Sequence, residues 1–537
     1  MGVVPLLRPY AVALVALILT GHPGAALAQE APSQPGAQAK RAEEATTPAA
    51  PRRLLPPDST TRHTLDLPGR QLAFKATAGS IPLYAEDGRL TAEMAYVAYQ
   101  LEGADAAKRP VAFAFNGGPG SSSAWVHAAG FGPWRLSTEP AALAPSAPAV
   151  LAPNPETWLD FTDLVFIDPV GTGFSRLARA TPTAGPQGQP GAVGPAPQAA
   201  PPPGGRDYHS VDGDADSVAD MIARWLRRHQ RNVSPKMLVG ESYGGIRAPK
   251  VAHRLQTQHG AGIGALVLIS PVMDFSLFRG PRHRIQPFAH WLPSIAAAAR
   301  EAKGQAFGTR AELAEVEAYA RGEFLTDLGR GPRDAPALER VVKRVAAYSG
   351  LSEATVRQYG GRIDEFIYIR EANRAAQRQA SGYDVSITGD DADPTAYFPR
   401  WDDPFAAALA APLKGAMLDL YARLGWKTEL AYHLSASLRW QWGNLSNGVE
   451  SISQLQSALA LDPKMRLLVT HGATDLRTPY FGSALLLEQL PGYADKPKGR
   501  VELKLYPGGH MHYSREASRK ALRADVKALA DGLVPGP

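Results

Sequence analysis

The chain has 537 residues, with 57 Lys and Arg against 51 Asp and Glu for a net charge of +6, 45% hydrophobic residues and no cysteine. That length carries a sizeable core, either as one enlarged domain with an inserted lobe or as several average ones. The charge is spread without a block of like sign able to track a phosphate backbone, which argues against nucleic acid as a partner, and the lack of cysteine excludes disulfide support and a cysteine-linked lipid anchor.

Arg8, an apolar stretch from Tyr10 to Leu19, and Ala26-Leu27-Ala28 before Gln29 form the pattern of a cleaved secretory signal over residues 1–28. The apolar run is short for a bilayer span, the alternative being a retained anchor; no later stretch reads as long and apolar enough to cross a membrane. Export fits a bacterial periplasmic or secreted protein, with no stable membrane insertion after cleavage. Residues 29–62 lack an apolar period and read as a disordered linker. A second Pro/Gly-rich stretch, 181–205 (TPTAGPQGQPGAVGPAPQAAPPPGG), reads as a surface-loop insertion.

Strand patterns follow at Gln71–Thr77, Met94–Leu101, Pro110–Phe115, Leu164–Ile167, Lys236–Val239 and Ala265–Ile269, then again at Arg466–Thr470 and Val501–Tyr506. Several are short, apolar on both faces and separated by helical patterns, as in a parallel sheet covered on both sides. From 275 to 462 alanine-rich helical segments take over, such as Ala311–Arg321, Leu338–Tyr348 and Phe405–Leu424. The layout predicts an α/β core over 63–274, a helical cap over 275–462 and the rest of the core over 463–537.

Ser242 lies in GESYGG between the strand Lys236–Val239 and a stretch where Ala248, Val251, Ala252 and Leu255 share a helical face. A G-x-S-x-G match alone is weak, but strand, sharp turn and helix form the context that exposes a nucleophilic hydroxyl. Such a serine needs a histidine to take its proton and a carboxylate to orient the histidine. HGATD after one late strand offers Asp475, and PGGHMHY after the next offers His510 and His512. His510, after a glycine pair, is the favoured base, with His471 and His512 as competitors. His510-x-His512 also reads as half a metal site, but no third ligand sits at matching spacing, and neither metal nor cofactor is expected. FNGGPGSSS at 115–123 supplies backbone N–H groups for an oxyanion; a mere glycine turn gives no reason for Asn116.

Together FNGGPGSSS, NPETW (154–158), DPVGTGFS (168–175), GESYGG (240–245), the Asp475 loop and PGGHM (507–511) resemble the serine carboxypeptidase family. The resemblance implies an α/β-hydrolase fold with an inserted cap, peptide or protein C-termini as substrates, and an acyl-enzyme mechanism. It assigns Ser242 as nucleophile, His510 as base and Asp475 as its orienter, with the N–H groups of Gly118 and Tyr243 as the oxyanion hole. Asn116, Gly117 and Glu241 fall at the terminal-carboxylate subsite. Two positions depart from the family pattern: Ala114 replaces a tryptophan, and Gly130 replaces a glutamate that would share a proton with Glu241. Without that second carboxylate Glu241 is expected to ionise readily, in the mildly acidic range. The departures keep open an esterase or acyltransferase using the same triad, and an inactive binding protein on the same fold. Trp125 and Trp158 are candidates for the pocket wall, although an aromatic there is more often core.

Overall fold

In a computed structural model the described residues are 53–139, 143–178, 207–278, 281–396, 403–443 and 448–534. The signal segment, linker residues 29–52 and the insertion at 181–205 lie outside them. The centre is a 10-stranded sheet. Its principal strands are β1 (Ser59–Leu67), β2 (Arg70–Tyr84), β3 (Leu90–Leu101), β4 (Val111–Phe115), β5 (Asp163–Ile167), β6 (Lys236–Glu241), β7 (Ala265–Ile269), β8 (Arg466–Gly472) and β9 (Val501–Tyr506). Their spatial order is β1-β2-β3-β5-β4-β6-β7-β8-β9. The first three strands and the β3–β5 pair run antiparallel, and β5 through β9 run parallel. β4, β6 and β7 are buried along their whole length, as their continuous apolar runs require.

One face is covered by α1 (Val211–Arg228), α2 (Gly244–Gln258) and, beyond the cap, a helix at Ile452–Leu461, which share a core with Phe113, Leu238 and Leu266. The other face is covered by the C-terminal helix Glu516–Asp531, the helical turn Trp125–Phe131 and the long helix Pro404–Arg423. A third core joins α3 (Gln286–Ala302) and α4 (Ala335–Ser349) to the start of helix Tyr480–Glu488. In chain order the remaining long helices are α5 (Pro404–Arg423), α6 (Ile452–Leu461), α7 (Tyr480–Glu488) and α8 (Glu516–Asp531).

Four expectations change. The linker does not run to 62: Leu55 is buried and β1 begins at Ser59, pairing with β2 from Ser59↔Ala78 to Leu67↔Arg70. The buried Glu93 carboxylate draws this segment in, accepting from the N–H groups of Leu54 (2.7 Å) and Leu55 (3.2 Å) and pairing with Arg53. The 275–462 stretch is not one lobe, since α6 packs on the sheet beside α2 and α5 joins the main core. Ala311–Arg321 is not one helix but consecutive turns at Arg310–Leu313, Ala314–Tyr319 and Ala320–Phe324, the first opened by a Thr309/Glu312 capping box. Finally, α5 is long and apolar enough by composition to cross a membrane, yet its Phe405, Leu409, Leu413 and Met417 are buried in protein.

Replacing Glu93 by Ala leaves the backbone donors of Leu54 and Leu55 without their acceptor, a cost of about 2 kcal/mol. Limited proteolysis should then cut Glu93→Ala between residues 53 and 58, where the wild type resists; equal cutting of both would show that this anchor does not hold the segment.

Candidate active site

The parallel strands end on one edge of the sheet, and the connections that leave them carry the polar groups. At the end of β6 the chain turns into α2 through Ser242, whose φ of 60° lies in the left-handed region. A non-glycine residue pays for that conformation in strain. Here it is held on both sides: Ser242 N–H donates to Ile269 (3.0 Å), and its carbonyl accepts from Gly245 (2.8 Å) and Val272 (3.0 Å). The turn is so tight that a Cβ at Gly240 would stand 2.5 Å from the Gly244 carbonyl oxygen, so glycine is required there.

After β8, Asp475 is fully buried and accepts from the N–H groups of Arg477 (2.9 Å) and Thr478 (3.0 Å) through Oδ1. Its Oδ2 lies 3.0 Å from His510 Nδ1, in the connection after β9. The Thr478 hydroxyl stands 2.8 Å from Asp475 Oδ2 and 3.0 Å from His510 Nδ1. Burial disfavours the Asp475 charge, but the charge of His510, the nearby His471 imidazole and the hydrogen bond from His510 outweigh it and hold the carboxyl well below the usual range. Burial likewise lowers His510, while the Asp475 charge and hydrogen bond overcome it and raise the imidazole above its ordinary value.

The competing histidines go elsewhere. His512 faces Thr470 Oγ1 (3.2 Å), and burial pushes it down to about 3. His471 bonds Ser483 (2.9 Å) and keeps its other ring nitrogen 4.0 Å from Asp475, behind the pair. Among the described residues there is no group of three or more metal-ligating side chains.

Ser242 and His510 open onto one cavity of about 620 Å³, together with Asn116, Gly117, Gly118, Trp125 and Glu241. The glycine turn after β4 lies against the residue following Ser242: a Cβ at Gly117 would fall 2.3 Å from Tyr243 N. Among the described residues neither Gly118 nor Tyr243 spends its N–H on another backbone group. Asn116 is fixed by Oδ1 accepting from Val126 N (3.1 Å), and its carbonyl takes a bond from Arg247, whose Nε pairs with Asp214 at 2.7 Å. The Asn116 side chain also lies beside Glu241 and favours its ionised form slightly. Trp125 lines the cavity, whereas Trp158 stacks on Phe131 at 3.7 Å in the core, so it is no pocket wall.

Glu241 departs from expectation. Burial, with a smaller contribution from the charge of Asp475, pushes its carboxyl up to about 7 against the charge of His510, the bond from Tyr513 and the neighbouring Asn116 side chain. Loss of a second carboxylate at Gly130 is therefore outweighed by desolvation, and ionisation comes near neutrality rather than in mild acid. Thr478, Arg247 and Tyr513 were not singled out in the sequence. Thr478 carried a signal, since Asp-x-x-Thr places a hydroxyl one turn from a carboxylate; the other two meet their partners only through the fold.

A parallel sheet with a strained serine turn at a strand end and a later Asp and His, in that order, defines an α/β-hydrolase of the serine type. The family model described as serine carboxypeptidase matches residues 68–268. The matched residues hold Asn116, Gly118, Glu241 and Ser242, so over that stretch the chain is similar to the serine carboxypeptidase family; Asp475 and His510 lie beyond the match. No curated protein matches the chain. Similar solved structures include Kex1(delta)p, a prohormone-processing carboxypeptidase from Saccharomyces cerevisiae, at 15% identity over 85% of this chain and 91% of that one, TM-score 0.49. A thermophilic esterase from Thermogutta terrifontis is also similar, at 15% identity over 84% of this chain and 98% of that one, TM-score 0.31.

Gly117→Ala drives a methyl group into Tyr243 N and must part the glycine turn from the serine turn. Loss of a positioned oxyanion donor costs about 10²–10³ in kcat, so the variant should lose at least that order of activity on any substrate while keeping a native circular dichroism spectrum. Activity within a few-fold of wild type would show that the two turns need not touch.

Proposed function

We propose that the protein is an exported serine carboxypeptidase, removing C-terminal residues from peptides through an acyl-enzyme on Ser242. The observation that supports this best is that Ser242, His510, the glycine turn and the Asn116–Glu241 pair all face one cavity. His510 takes the Ser242 Oγ proton as the oxygen attacks the scissile carbonyl, then passes it to the leaving amine. Asp475, accepting from Nδ1, fixes the tautomer and balances the imidazolium. The N–H groups of Gly118 and Tyr243 meet the oxyanion. Water then attacks the acyl-enzyme with His510 again as base. Asn116 and protonated Glu241 donate to the terminal carboxylate, which selects the last residue of a chain. Gly130 and Ala114 favour a second reading, an esterase or acyltransferase with the same triad, because they remove groups the family places near that carboxylate.

A fluorophosphonate probe should label the wild type and not Ser242→Ala, and Asp475→Asn should fall by about 10⁴ in kcat. Absence of labelling in the wild type would favour an inactive binding protein. Export is tested separately by N-terminal sequencing of protein from the native host, which should begin at or near Gln29; an intact Met1 would refute it.

The pH dependence separates the peptidase and esterase readings. Glu241, raised to about 7, is a donor below that value and a carboxylate above it. KM for a free-acid peptide should therefore climb as pH rises past about 7, while KM for the matching amide stays flat. His510, raised above its ordinary value, must lose its proton to act, so kcat rises with pH on both substrates. Together these give a bell-shaped kcat/KM for the free acid and a rise to a plateau for the amide. Parallel profiles would replace the carboxypeptidase reading with the esterase or acyltransferase one.

A further inference from the structure

The terminal-carboxylate subsite has a member that the catalytic scheme leaves unused. Tyr513 follows His510 in the same connection, is 1% exposed, and donates from its hydroxyl to Glu241 Oε2 at 2.6 Å. Among the described residues this hydroxyl makes no second hydrogen bond. Arg519 Nη1 holds the Tyr513 carbonyl at 2.9 Å, fixing the turn that aims the ring. The ring lies along Gly130, where an added Cβ would come within 3.6 Å of Tyr513 Cε2. A longer side chain at 130 would contest the space the phenol occupies. The glycine and the tyrosine are thus two halves of one arrangement.

A buried hydroxyl needs an acceptor for its single proton. We propose that Tyr513 is a positioning residue of the carboxylate subsite: by occupying Glu241 Oε2 as a donor, it leaves Oε1 as the oxygen that carries the Glu241 proton toward the substrate. This rests on the carboxypeptidase reading. Without Tyr513 the proton has two oxygens to choose from, so the donor toward the substrate is present only part of the time. The titratable groups facing Glu241 are His510, Asp475, Tyr383 and Tyr513 itself. Of these, Tyr513 is the one that contacts Glu241 and takes no part in the proton relay through His510. Its hydrogen bond favours the ionised carboxyl, so removing it shifts Glu241 toward the protonated form.

The test is Tyr513→Phe, which keeps the ring, assayed on one peptide as free acid and as amide. At about pH 5, where Glu241 is protonated, the ratio of kcat/KM for free acid over amide should fall about tenfold, the scale of one hydrogen bond to a charged group. The pH at which free-acid KM begins to climb should move up by about half a unit or more. On a Glu241→Gln background, where the amide is a donor at every pH, Tyr513→Phe should leave the free-acid KM profile flat. A wild-type preference for free acids that Tyr513→Phe leaves unaltered in size and pH midpoint overturns this inference alone. Equal losses on free acid and amide also overturn it, because they mark a packing role. No free-acid preference in the wild type overturns the carboxypeptidase reading and this inference with it.

Discussion

Everything at the candidate site depends on the left-handed backbone at Ser242. A serine at φ 60° costs of order 1–3 kcal/mol, and it persists because the strand on one side and the helix on the other leave the peptide no alternative. The Ile269 carbonyl at the end of β7 takes its N–H, and Val272, just beyond, returns a bond to its carbonyl. That clamp exists only because β7 is parallel to β6 in the register Ile269↔Glu241. The same parallel order sets β4 on the other side of β6, so the glycine turn at 117–118 arrives beside Tyr243. The sheet therefore fixes nucleophile and candidate oxyanion donors with one set of backbone hydrogen bonds, and side chains are free to settle the rest.

The side chains divide the charge so that no two like charges are forced together. Asp475 is the buried anion, stabilised by two N–H donors, by the Thr478 hydroxyl and by the imidazole. Burial disfavours a second anion at Glu241, and the charge of Asp475 opposes it further. The result is one carboxyl held ionised and another pushed up to about 7, with the charge of His510 acting on both. Carboxyl groups pushed toward different protonation states by environment alone let one site hold both a donor and an acceptor below about pH 7.

How far the sequence made this legible follows from which interactions are local. Ser242 between Gly240 and Gly244, Asp475 after β8 and His510 after β9 are each marked by a strand pattern followed by turn chemistry; in the structure Ser242 and His510 line one cavity, and Asp475 is buried behind His510. The β1–β2 hairpin was half missed because β1 is polar on one face and exposed along alternate residues, so its first residues read as linker. The tie that orders Leu54 and Leu55 is a carboxylate 39 and 38 positions away, respectively, which no local pattern can report. Tyr513 and Glu241 are separated by 272 residues and Arg247 and Asn116 by 131. Such pairs become visible only when the fold closes the distance.

The cavity wall is assembled from parts that the chemistry does not require. Ala406, Ala407, Ala410 and Ala411 of α5 line one side, and Tyr383, from the loop before it, lines another. Tyr383 also receives the His510 N–H on its carbonyl at 2.5 Å and lies under the Arg477 guanidinium. Arg477 reaches from the Asp475 turn to Glu365 and to Asp403, the residue that caps α5. The ion pairs thus couple the loop carrying Asp475 to the helix that shapes the cavity. Position of the α5 wall and position of the His510 turn are consequently one structural variable, whereas the size of the side chains along α5 is another. Changing those alanines would alter what fits beside Ser242 without touching the hydrogen bonds that set the Asp475–His510 pair, so the fold separates selection of substrate from the machinery that acts on it.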